Sequence, residues 1–287
     1  MSTADIRAAL RAFYREQGWL PAAQPEVVDK KLRPLLPQSL RARYDVLSTQ
    51  VELGAVLPDT LYELATDLQT ANLLMSRQAP ASIAAAAWLY QQARPHLDDG
   101  PLVGEFGCWS GTFLAWLTGE HPEVTGIGID RAGLVIEAAT EAYIDRNVAF
   151  VLWDYAEPPP EWVPGCGVLL SAFGLSFQPR PRPEAPPDAD AATLKFFEED
   201  RAETLAQVQH WWEVADEGAP LYTVLRVGTP EHAVAALHAF AEAGWSWDAA
   251  ASGFVQTSDE RFPGWAFHPV EAAQPPRFAD VHAWWHA

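Results

Sequence analysis

The chain has 287 residues, 49% hydrophobic and 20% charged, which is the composition of a globular protein and excludes a disordered one. At roughly 150 residues per domain, it is long enough for two domains or one large one. Thirty-eight Asp and Glu against nineteen Lys and Arg give a net charge of −19, which repels phosphate backbones, and no basic patch offsets it, so a nucleic-acid partner is not expected. Only three lysines occur: Lys30, Lys31 and Lys195. The two cysteines, Cys108 and Cys166, are too few for a disulfide framework, a four-cysteine zinc site or an all-cysteine iron–sulfur cluster. The opening MSTADIRAAL has no apolar run behind a basic stretch, and the longest apolar run, near 83–90, is too short to span a bilayer. The expectation is a cytoplasmic protein with no signal peptide and no membrane partner.

Up to about residue 97 the pattern is helical. Ile6, Leu10, Phe13 and Tyr14 share one face of a segment that starts at Ser2 and Thr3. A second helix follows Pro25 and carries Val27, Val28, Leu32 and Leu35. Further helices are expected over 37–54, 59–75 and the alanine-rich 81–95, and no alternating stretch interrupts them. Residues 1–97 therefore read as an all-helical cap or dimerisation region, with a homodimer through these helices as one expected assembly.

After Asp98-Asp99-Gly100 the character changes, and 98–287 reads as one domain. Strands are expected at 101–106, 124–129, 148–153, 167–172 and 221–227, with helices at 112–118, 132–145, 191–216 and 230–243 between them. Apolar runs of this length alternating with helices mean a doubly wound, mostly parallel α/β sheet covered on both faces. Extended pieces at 246–257 and 264–270 have no helix between them and fit an antiparallel hairpin closing the edge, for seven strands in all. Two stretches are proline-rich, 156–164 and 178–187. The second belongs to an insertion over 175–192 that is either a semi-rigid connection or a lid over the crevice at the strand ends.

The informative segment is Val103-Gly104-Glu105-Phe106-Gly107-Cys108-Trp109-Ser110-Gly111-Thr112, between the first strand and the first helix of the sheet. Nucleotide ligands bind at this crossing in doubly wound sheets. No lysine follows Gly111, which excludes a phosphate-binding P-loop. A G-x-G-x-x-G fingerprint started at Gly107 would need glycine at Trp109 and Thr112, which excludes that dinucleotide turn. A nucleoside ligand with no phosphate over the turn remains. A carboxylate about 20 residues on suits ribose hydroxyls, and Asp130 ends the second strand. It is also placed to cap the next helix. Cys108 reads either as a nucleophile at a helix N-terminus or, more simply, as a small residue in a tight turn. Cys166 reads as structural.

These residues resemble the first motif of the class I S-adenosylmethionine-dependent methyltransferases, [DE]-x-G-x-G-x-G. Glu105, Gly107 and Gly111 fit it, and Trp109 replaces the middle glycine. The order of elements from about 98 to 270 resembles that family too. The resemblance implies a Rossmann-like methyltransferase fold with S-adenosyl-L-methionine as cofactor, held by Glu105, Gly107, Trp109, Gly111, Asp130, Asp154 and Phe173. Within that set Asp130 would take the ribose and Asp154 the adenine amino group, with Trp153 or Tyr155 beside the ring. Trp109 and Phe173 would wall the sulfonium. Without the resemblance, Asp154 reads as a turn residue and Phe173 as core.

The fourth motif, here Leu169-Leu170-Ser171-Ala172-Phe173-Gly174-Leu175, lacks both the nucleobase signature and the metal-binding aspartate of the family. The implied enzyme is therefore metal-independent and acts on a small-molecule acceptor. Of the eight histidines, His232 is the candidate general base, since it follows the loop after the fifth strand. A second reading is a non-catalytic binding or scaffolding protein with this fold and thirteen tryptophans for contact surface. A third is methylation of a protein or carrier-bound acceptor.

Overall fold

The computed structural model describes residues 1–22, 24–53, 55–56, 58–175, 189 and 196–287. The proline-rich stretch at 178–187, read as a connection or a lid, and the first residues of the expected 191–216 helix lie outside them. Seven strands form one sheet in the order β3-β2-β1-β4-β5-β7-β6. They are β1 (Leu102–Phe106), β2 (Thr125–Asp130), β3 (Val148–Leu152), β4 (Val168–Ala172), β5 (Leu221–Val224), β6 (Trp245–Gln256) and β7 (Arg261–Pro269). β1 to β5 are parallel, and β7 pairs antiparallel with both β5 and β6. This is the doubly wound methyltransferase-type sheet. Its strand order reverses between β1 and β4, which opens a crevice at their carboxyl ends.

The expected strands and helices of residues 98–287 are present to within a few residues at most boundaries. The helix expected to run to 216 instead ends as α8 (Phe197–Val208), and a 3-10 turn at Trp211–Val214 follows it. There Trp211 turns inward and stacks on Phe106, centroids 4.1 Å apart. A last helix, α10 (Phe278–His286), closes the chain.

Among the N-terminal helices, α1 (Thr3–Glu16) starts at a capping box between Ser2 and Asp5. α2 (Pro25–Leu32) and α3 (Gln38–Glu52) follow. The single helix expected over 59–75 is two pieces, a 3-10 turn at Pro58–Leu64 and α4 (Leu68–Ser76). The break is imposed by Asp67. Its carboxylate accepts from the Thr70 amide at 2.8 Å, and its own amide donates to Thr70 Oγ1 at 3.1 Å, so a new helix starts there.

Packing divides these helices differently from their order in the chain. α5 (Ala79–Ala93) is buried on nearly every side, and it lies on β4, β5 and β6. Its alanines let it approach the sheet closely, and a helix apolar all round belongs inside. α1, α5 and α6 (Thr112–Glu120) share one core with Val103, Val168, Leu170 and Val224 of the sheet. The other sheet face packs Phe106, Ile129, Leu169 and Leu221 against Trp211 and α9 (Pro230–Glu242). α2, α3, the 3-10 turn and α4 build a separate small core that meets the sheet domain at Trp109 and at Val135 of α7 (Gly133–Ala142). Only this second group is a cap over the crevice. Among the described residues no helix is long and apolar enough to cross a membrane.

Candidate functional site

The turn after β1 takes three left-handed residues at alternate positions: Gly107 (φ 70°), Trp109 (φ 51°) and Gly111 (φ 67°). A Cβ at Gly107 would overlap Cα of Gly174, and one at Gly111 would overlap the Phe150 ring, so both glycines are required by protein packing. The amides of Gly107 and Cys108 both donate to the Ile129 carbonyl, at 2.8 and 3.1 Å. The turn is thereby tied to the end of β2.

Trp109 stands where glycine would cost least, since a left-handed L-residue costs about 1–2 kcal/mol. The surroundings hold it there. Its amide donates to Asp130 Oδ2 at 2.9 Å, and its indole Nε1 donates to the Ala71 carbonyl of α4 at 3.3 Å. Its ring lies 4.8 Å from that of Tyr62, and it is only 9% exposed. The indole is thus the bolt between the turn and the cap.

Asp130, 8% exposed, accepts from Trp109 on one oxygen and from the Ala132 amide on the other, at 2.9 Å. Burial pushes its carboxyl above the usual range, and these backbone hydrogen bonds oppose that shift. The Arg131 amide adds a further backbone hydrogen bond to this carboxylate, which has about four acceptor directions in all.

A cavity of about 560 Å³ opens at this point. The sheet side contributes Gly107, Trp109, Asp130, Arg131, Ala132, Tyr155, Ala172, Phe173, Gly174 and Arg226, the cap contributes Thr60, Tyr62, Glu63 and Met75, and Gln78 enters from the N-cap of α5. Tyr155 donates from its hydroxyl to the Gly174 carbonyl at 2.8 Å and presents its ring. Phe173 is a second left-handed bulky residue, with φ 57°. The Arg226 guanidinium lies over its ring, 4.3 Å from the centroid.

Four of the seven residues expected at the cofactor therefore line one cavity: Gly107, Trp109, Asp130 and Phe173. Gly111 sits behind them as the N-cap of α6. Glu105 faces the α1–α6 side of the sheet, 3% exposed, and its Oε2 has no hydrogen-bond partner among the described residues. Burial, and secondarily Asp130, push its carboxyl well above the carboxylate range. The structure thus places Glu105 beneath the cavity and not in its wall. Asp154 is exposed, accepts from the Ala156 amide at 3.2 Å as a turn residue does, and is not in the lining. Beside it Trp153 turns inward and donates to the Glu157 carbonyl, which leaves Tyr155 as the aromatic residue of this loop at the cavity.

Phe173, in the lining, carries the guanidinium of Arg226 over its ring. His232 is 2% exposed in the first turn of α9, where Thr229 Oγ1 accepts from its amide. That turn packs into the core, so His232 does not line the cavity. Burial raises the Cys108 thiol well above its ordinary value, with Asp130 and Glu105 adding to the effect. An activated thiolate is disfavoured there. Cys166 is pushed up to about 12 by burial.

The cap residues and Arg226 were not foreseen. Arg226 had one sequence signal, a charge inside the apolar run Val224-Leu225-Arg226-Val227. The cap residues had none, because their neighbours in the cavity are distant in the chain.

No family profile and no curated protein matches this chain. Among solved structures it is similar to a possible exported protein from Bordetella parapertussis, at 15% identity over 93% of this chain and 95% of that one, TM-score 0.48. It is also similar to human N-acetylserotonin methyltransferase in complex with SAM, at 11% identity over 75% of this chain and 60% of that one, TM-score 0.46. Magnesium protoporphyrin IX methyltransferase from Synechocystis PCC 6803, with bound SAM, gives 14% identity over 70% and 83%, TM-score 0.43. At such identities the likeness is one of fold and not of activity.

Proposed function

We propose that this chain is a metal-independent, S-adenosylmethionine-dependent methyltransferase acting on a small-molecule acceptor held under the cap. One observation carries the reading. At the sheet's switch point, a lysine-free turn closes its Trp109 amide onto a buried carboxylate, Asp130, that faces a cavity. The donor set fits a nucleoside. A neutral ribose hydroxyl can donate to Asp130, whereas a phosphate would be repelled by it. Tyr155, from the neighbouring strand end, offers a ring face for a base.

When bound, S-adenosylmethionine would supply an electrophilic methyl group on a cationic sulfur. The chain's task is then position and exclusion of water. Tyr62, Met75 and Gln78 roof the cavity, and the left-handed turn fixes its floor. Holding the acceptor atom in line and about 3 Å from the methyl contributes several kcal/mol without any protein nucleophile.

Calorimetric titration with S-adenosylhomocysteine tests this reading, and micromolar binding is expected. Asp130→Ala should weaken it by about 1–3 kcal/mol, the cost of leaving polar partners unpaired. A folded protein that does not bind would contradict the reading, and unchanged affinity in the variant would remove the ribose assignment. The scaffolding alternative draws support from Trp109, which fixes cap and turn together. Binding without turnover on a broad acceptor panel would favour it.

A further inference from the structure

Acidic residues outnumber basic ones two to one in this chain, and five arginines, Arg33, Arg43, Arg77, Arg201 and Arg277, are paired with carboxylates. Arg226 lines the cavity with no carboxylate in ion-pair range among the described residues. Its guanidinium lies on the Phe173 ring, with Phe262 5.5 Å away on a second side. One N–H donates to the neutral Oε1 of Gln78, the N-cap residue of α5. A guanidinium has five N–H donors in a planar fork, so most of its donor capacity is open to a ligand. Phe173 takes up a left-handed backbone in presenting its ring, and strain of this kind collects at binding sites. Together the ring and the Gln78 amide fix the plane of the fork at the cavity wall.

Position separates this fork from the nucleoside end. Asp130 ends β2 and Arg226 follows β5, three strand spacings away in the order β2-β1-β4-β5, or about 14 Å. The fork restricts the anion. A planar, singly charged carboxylate matches its two parallel N–H donors, and its charge is met by Arg226 itself, since Glu63 of the lining is paired with Arg43 and Arg131 offsets Asp130.

We infer that Arg226 is the specificity residue for the methyl acceptor, and that the acceptor is a small molecule bearing a carboxylate. The inference rests on the methyltransferase reading for the word acceptor, but the anion site itself does not. A carboxylate also occurs on the amino-acid tail of the cofactor, so the test must tell these two sources apart.

The experiment titrates benzoate, benzamide and inorganic phosphate into the full chain, with and without saturating S-adenosylhomocysteine. Wild type, Arg226→Met and Arg226→Lys are compared by calorimetry. The expected result is that benzoate binds wild type at least about tenfold more tightly than benzamide or phosphate, and that Arg226→Met loses this preference. Arg226→Lys, which keeps the charge without the fork, should fall between them. S-adenosylhomocysteine affinity should stay within about threefold in all three proteins.

Equal binding of benzoate and benzamide to wild type, or binding of neither, overturns the inference and needs no variant. So does a benzoate preference that survives in Arg226→Met, or a preference for phosphate. A tenfold loss of S-adenosylhomocysteine affinity in Arg226→Met would assign the fork to the cofactor tail instead. If S-adenosylhomocysteine fails to bind wild type while benzoate still discriminates, the methyltransferase reading falls and the carboxylate site stands.

Discussion

α5 and the cap are neighbours in the chain and opposites in packing. α5 is an alanine-rich helix sunk into the sheet's own core, with eleven of its fifteen residues buried. The cap built from α2 to α4 has its own small core, and its polar side is laced with ion pairs such as Arg33–Asp45 and Arg43–Glu63, both 2.7 Å and well exposed. Such exposed pairs contribute about 0–1 kcal/mol each. One helical run is thus divided between two jobs. α5 is part of the scaffold, whereas the cap is a roof fastened at few points, Trp109 above all.

The largest effect should come from the scaffold. Leu89→Ala empties a fully buried site in α5 and should lower global stability by about 2–5 kcal/mol in denaturant unfolding. A loss below 1 kcal/mol would mean that α5 is not core. Trp109→Gly sets two effects against each other. It relieves about 1–2 kcal/mol of backbone strain and forfeits about 3–5 kcal/mol of buried aromatic packing. The net loss of about 2 kcal/mol should be spent mainly on the cap, with faster amide exchange in 58–76 and little change in β1 or β4. Uniformly faster exchange in both regions would erase the comparison.

Smaller effects follow from titration. The Tyr44 hydroxyl donates to Asp29 beneath Arg77, and burial raises its pKa to about 12. A phenol raised from 10 stabilises the fold fully below pH 10 and loses that contribution as pH rises toward 12. Thermal melts should show this alkaline loss, and Tyr44→Phe should flatten it. Glu105 behaves similarly at lower pH. Its carboxyl is raised, so its contribution is complete below pH 4.5 and declines as pH rises through the folded value. Glu105→Gln should therefore match wild type near pH 4 and gain on it toward neutrality. An identical pH dependence of the two proteins would show that Glu105 is not a buried acid.

The sheet could be read in advance because parallel strands buried on both faces are unbroken apolar runs between turn residues. Gly107, Gly111 and Asp130 could be read because a tight turn and a strand-end carboxylate are local features. The role of α5 was hidden, since a helix with no polar stripe does not say what covers it. The break at Asp67 was written in the chain as a cap followed three residues later by Thr70, but the apolar spacing on either side masked it. Glu105 looked like a ligand because it precedes the glycines. Strand alternation turned it to the opposite side, with Val103, and away from the cavity. Tyr62, Gln78 and Arg226 meet only through the fold, and no local pattern joins residues so far apart.

Whether turn and cap together hold a nucleoside cofactor while α5 stands apart can be read by amide hydrogen exchange with and without saturating S-adenosylhomocysteine. Slower exchange is expected in 107–111 and in 58–78, with α5 beyond its first turn unchanged. Protection absent from both segments, or spread evenly over the scaffold, would contradict it.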